Sequence, residues 1–276
     1  MATKLNVRTR STVPTSRIMP STGFAVWLSH VRFLTADTAP DDALSTGMDR
    51  IEAGFKRVLQ AERERNKTEM VARAEEVIQA GTLLLSHSSL ASKPSLEHSL
   101  KHKIGLTHFK LGSVGGAHAI HFQRGLGYLE QVAEARGSLN DWFNVVTVAA
   151  CAGDVQRSQA AFAMLEELYD KTPPAERQAF FPWPEILLYH ACALRDGGFY
   201  SEALPHVESL RIAYQALTVT DPEFLRARGF PPYHNFLKLA TSVIDPLPHI
   251  DSKGWFRELA RNVDPEGQQS IDSIIA

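Results

Sequence analysis

The stretch "AACAGDVQRSQAAF", residues 149–162, decides how the chain folds. Ala149, Ala150 and Ala152 close a segment that favours helix, and Gly153 can adopt the positive φ of a tight turn. Asp154 then offers a carboxylate to the orphan amides of a second helix. Helix, short turn, helix is an αα-hairpin. Asn140 or Asp141 can cap the first helix, from Trp142 to about Ala152, and the second runs to about Tyr169.

Working outward, the same grammar recurs. After the proline-rich connection "DKTPPAERQAFFPWP", the segment "EILLYHACALRDGGFYSEALPHVESLRIAY" predicts another hairpin, turning at Gly197 and Gly198, with Pro205 near the start of its second helix. Upstream, Ser95 can cap a helix through Leu96, Leu100, Ile104 and Leu111. "GSVGG" closes it, and Ile120, Phe122, Leu126, Leu129 and Val132 form the stripe of the next helix, which stops at Gly137. A helical pair over residues 40–94 precedes these hairpins; its second helix follows Asn66. Short proline-initiated helices fill residues 219–276. Only "LTVT" at 217–220 resembles a strand, so the expected class is all-α. Helical pairs recurring every few tens of residues are expected to stack as a solenoid, because no single pair buries its own apolar face.

Particular residues give this repeat a family likeness. Trp142, Gly153, Ser158 and Phe162 fall where the tetratricopeptide repeat places its Trp, turn Gly, small residue and aromatic; Gly198, Tyr200, Ala203 and Leu204 fit the same turn and restart. "AGDVQRS" equally resembles the turn of the pentatricopeptide repeat. The likeness covers roughly residues 95–218, with one good repeat, one fair and one poor; in the poor one Ile120 and Arg124 occupy the small and aromatic positions. It implies antiparallel hairpins stacked as a binding surface. In the second family one base is read by a polar residue in the first helix, and the match places that residue on Asn144. The second reader falls near Pro173 and Pro174, and the next mid-helix position is Tyr189, neither of which suits a base code. RNA is therefore a possible partner but not the favoured one.

Charge supports the same preference. The first 36 residues contain Lys4, Arg8, Arg10, Arg17 and Arg32, ten Ser or Thr, and no acid, leaving 24 bases against all 31 acids beyond them. An acidic body has no general phosphate-neutralising surface. A basic, hydroxylated, acid-free leader has the composition of a transit peptide, and its early cations favour a mitochondrial matrix destination over a plastid or the cytoplasm. An extended arm that clamps a partner is the alternative. No apolar run reaches the ~20 residues of a membrane span. Cys151 and Cys192 lack CxxC spacing and read as buried thiols of a reducing compartment.

Chemistry is sparse. His98 with His102, and His118 with His121, have the spacing to share a helix face, yet "HSLKH" lacks the Glu of the zincin motif, and no metal or cofactor is expected. The dipeptide Gly-Lys does not occur, which removes the phosphate-loop motif, and no nucleophile elbow is present. The sequence points to a non-enzyme that scaffolds a larger mitochondrial assembly, such as a ribosome or a respiratory-type complex, through protein subunits. An RNA-binding repeat protein and an all-α enzyme with a His-based metal site are the alternatives. "FFPWP" places Phe180, Phe181 and Trp183 in a stiff connection, either as contacts for a partner or as packing onto the chain's own hairpins.

Overall fold

The computed structural model describes residues 41–177, 179–217, 221–259 and 265–276. The 1–36 leader and all of "LTVT" but Leu217 lie outside them. The described residues contain thirteen α-helices and no strand. They are α1 (Asp41–Arg63), α2 (Lys67–Leu85), α3 (Pro94–Gly112), α4 (Ile120–Arg136), α5 (Leu139–Cys151), α6 (Val155–Lys171), the one-turn α7 (Pro174–Arg177), α8 (Trp183–Asp196), α9 (Tyr200–Gln215), α10 (Pro222–Ala227), α11 (Tyr233–Ile244), α12 (Ser252–Leu259) and α13 (Pro265–Ile275).

These helices form antiparallel hairpins that pack on their neighbours in chain order. Three second helices lean on the next first helix, α2 on α3, α4 on α5, and α9 on α11. First helices also touch across hairpins, α1 with α3, α5 with α8, and α8 with α11. Apolar clusters run along the stack, from Leu44, Val58 and Ile104 through Leu129, Val146 and Leu165 to Val207, Phe236 and Phe256. Phe162 and Trp183 belong to the last two of these clusters at once, so neighbouring hairpins share side chains.

One turn device makes three of the hairpins. In the α5–α6 turn Gly153 has φ 80°, Asp154 N–H donates to Ala149 O at 2.9 Å, and the Asp154 carboxylate accepts from Arg157 N–H. The α8–α9 turn repeats it, with Gly198 at φ 85° and Phe199 N–H on Leu194 O at 2.8 Å. The third instance was not legible in the sequence. Between α1 and α2 the left-handed residue is Arg65, φ 55°, followed by Asn66 N–H on Ala61 O and an Asn66 side-chain cap on Glu69 N–H. A side chain in this region is strained by roughly 1–2 kcal/mol. Arg65→Gly is therefore expected to raise unfolding stability by about 1 kcal/mol in urea denaturation.

Several local expectations are corrected. Ser138, rather than Asn140 or Asp141, caps α5, because its Oγ reaches the Asp141 amide at 3.1 Å. Helix α3 starts one residue before Ser95, at Pro94 after an uncapped Lys93, since Pro at the first position forfeits no hydrogen bond. Pro205 lies inside α9 rather than near its start. Ile120 opens α4 but is exposed, outside the apolar stripe. The α3–α4 pair crosses one residue beyond Arg124: a Cβ on Gly125 would lie 2.8 Å from Gly105 O, so two backbones meet where the repeat alignment expected side chains.

Candidate functional site

Two polar clusters and one aromatic patch stand out. The first polar cluster is at the heart of the α5–α6 hairpin. Ser158, fully buried, donates its hydroxyl to Val146 O at 2.8 Å and sits 3.0 Å from His190 Nε2. A carbonyl can only accept, so the Ser158 proton points to Val146 and His190 donates Nε2–H to Oγ. That polarity is opposite to the one in which an imidazole removes a serine proton. His190 Nδ1 is buried without a partner, and its ring stacks on Phe162 at 4.5 Å and leans on His206 at 4.5 Å. Burial, then the neighbouring His206, pushes His190 down to about 3, and burial pushes His206 down to about 4. Both rings are neutral packing elements at neutral pH.

The second cluster lies where α3 meets α4 and α5. The His118 and His121 rings lie 6.1 Å apart as their spacing suggests, but the shorter contacts of His121 and His102 run across helices. His121 Nδ1 is 2.8 Å from His108 Nδ1, and His102 Nδ1 is 3.1 Å from the buried Asp141 carboxylate, which also accepts the Ser138 hydroxyl at 2.6 Å. Burial, His121 and Arg124 push His108 down to about 4. Asp141 is pushed up by burial, but the contacts from His102 and Ser138 outweigh that and hold it below the usual range. Among the described residues no group of three or more His, Cys, Asp or Glu could hold a metal ion. Burial, then Asp196, pushes the Cys151 thiol up to about 11, and burial also raises Cys192, so neither is an activated nucleophile.

The patch is built by the proline-rich connection. Helix α7 and the Phe180 N–H on Arg177 O turn the chain, and Pro182 precedes α8. This sets Phe180 and Phe181 against Phe143 of α5, with centroids 5.9 and 5.4 Å apart. Tyr189, on the outer face of α8, completes the group at 6.0 Å from Phe143 and 5.4 Å from Phe181, and remains 42% exposed. Trp183 turns the other way, between Phe162 and Tyr169 at 5.5 and 5.1 Å. Asn144 is half-buried beside Phe143 in α5.

The residues of the repeat pattern separate by role. Gly153 and Gly198 make turns, Asp154 caps, Ser158 and Ala203 are fully buried, and Trp142 and Phe162 pack partly buried against the central core. Sequence reasoning did not single out Phe143, His190 or His206. The 45-residue offset between the turn glycines does set Tyr189 level with Asn144 on adjacent first helices, and that offset was the available signal. Next to the patch, a cavity of about 360 Å3 is lined by residues including Asn140, Thr172, Glu176 and Phe180.

Compared with known proteins, the chain matches no protein-family model and no curated protein. What fold and site together define is a class, an all-α stack of helical hairpins. No described helix is long and apolar enough to cross a membrane.

Proposed function

We propose that this chain is a non-catalytic helical-repeat scaffold subunit of a larger mitochondrial assembly, of the ribosomal or respiratory-complex kind, acting through protein–protein contacts. The observation that carries the reading is the patch of Phe143, Phe180, Phe181 and Tyr189, which spans two successive hairpins and leaves Tyr189 exposed at its edge. Exposed aromatic clusters on a rigid frame are the usual anchors of protein interfaces. The acid-free leader supports import. The likeness of residues 142–162 and 198–204 to tetratricopeptide and pentatricopeptide repeats supports a binding role. The inverted Ser158 to His190 hydrogen bond supports the absence of serine chemistry there.

A double substitution, Phe181→Ala with Tyr189→Ala, tests the reading. Both side chains are partly exposed, so the fold should survive, and stoichiometric partners retained by tagged protein in mitochondrial extract should fall about thirtyfold. Retention of every partner at wild-type level would sink the proposal. Crosslinked RNA lost on Asn144→Ala would favour the RNA reading instead.

A further inference from the structure

We infer that the partner presents a basic side chain, lysine or arginine, beside an apolar one: the cation enters the cavity next to the aromatic patch and the apolar group lies on Phe143, Phe181 and Tyr189. The inference rests on the reading of the patch as a protein-binding surface and adds the chemistry of what it binds.

Charge around the cavity argues for a cation. Gly137, just past the C-terminus of α4, and Thr172, just past that of α6, both line it. Each helix C-terminus carries roughly half a negative charge from its unsatisfied carbonyls, which Arg136 in the last turn of α4 and Lys171 in that of α6 partly offset. The N-terminus of α5 reaches the same cavity, but its positive end is already met by the Ser138 cap and the buried Asp141 carboxylate in its first turn. Glu176 adds a full negative charge on the rim, and among the described residues it has no ion-pair partner. Of the chain's own cations at this end, Lys171 pairs with Glu167 and Arg177 lies over the Tyr169 ring at 5.2 Å, while Arg136 stands exposed in the last turn of α4.

Continuity gives the second half of the argument. Phe180 forms one wall of the cavity and also touches Phe143 and Phe181, so a side chain in the cavity and its neighbour on the patch can belong to one segment. An aromatic wall facing a carboxylate suits a flat guanidinium or an ammonium, which gains from the ring quadrupole and from Glu176 together. The patch rings touch one another at centroid distances of 5.4 to 6.0 Å, so their outer face receives an apolar group and nothing inserts between them. Glu185, on α8 below Tyr189, keeps the far side negative as well.

Short random peptides displayed on phage are selected on the full-length protein, and the best are synthesised for titration. The expected winners carry Lys or Arg within two residues of an aromatic or branched aliphatic side chain. They should lose binding to Phe181→Ala and bind Glu176→Gln about fivefold more weakly, with a smaller salt dependence in that variant. Glu176 is exposed, and an unchanged melting temperature in Glu176→Gln separates the charge effect from misfolding. Winners that need Phe181 but lack a cation, or ignore Glu176→Gln, overturn the assignment of a basic partner and leave the patch as a binding surface. Winners indifferent to Phe181→Ala, or none at all, overturn both.

Discussion

Gly197→Ala is expected to lower the free energy of unfolding by about 3 kcal/mol, whereas Gly198→Ala, one residue on, lowers it by only about 1 kcal/mol. The two glycines serve different purposes. Gly198 has φ 85° with open space around its missing side chain, so alanine there suffers only left-handed strain. Gly197 has an ordinary helical φ of −78°, but a Cβ on it would lie 2.4 Å from Ala150 O, a backbone atom of the neighbouring hairpin. A backbone oxygen cannot swing aside as a side chain does. The substitution must push α8 from α5, along the seam where Ala150, Leu187 and Ala191 pack. Urea denaturation of the two variants measures the contrast, and Gly198→Asn should be milder than Gly198→Ala because Asn tolerates the left-handed region. Equal effects at 197 and 198 would mean the hairpins do not bear on each other there.

Acid is expected to weaken the fold well above the carboxylate range. His190 and His206 are held neutral, near 3 and 4, against an ordinary value of 6.5. Below pH 6.5 the unfolded chain therefore binds protons that the folded chain refuses, and stability falls as pH falls toward the folded values. Each imidazole contributes up to about 1.4 kcal/mol per pH unit once its unfolded form is protonated, so the two together average about 2 kcal/mol per unit between about pH 6.5 and 5. His108 and His121, also lowered, act in the same direction. Between pH 6.5 and about 5 most carboxylates are still ionised in both states, and Glu130, raised by burial, acts in the opposite direction to the histidines. Unfolding free energies measured across it should show that slope, roughly halved for the His190 and His206 pair in His206→Phe. A flat profile would contradict the buried, neutral cluster around Ser158.

Local chemistry was the legible part of this chain. Gly153, Asp154, Gly198 and Gly137 announce turns and caps because their backbone or side-chain requirements are met within a few residues. The α1–α2 turn was hidden because Arg65 occupies a position where glycine would have signalled it. Pairings across helices were hidden for a different reason. Spacing puts His118 and His121 on one face, but His121 meets His108 of the preceding helix, and that depends on the close approach of Gly105 and Gly125. Composition made "FFPWP" conspicuous without saying which ring faces where. The fold sends Trp183 inward onto Phe162 and leaves Phe180 and Phe181 with Phe143 and the exposed Tyr189.

The most direct test of the scaffold account is the native size of the endogenous protein in a gentle cell lysate, by sedimentation with mass spectrometry of the co-migrating polypeptides. The account predicts migration far above a monomer, with a constant set of partners that is lost when Phe181 and Tyr189 are replaced together. A stable monomer with no constant companions would contradict it.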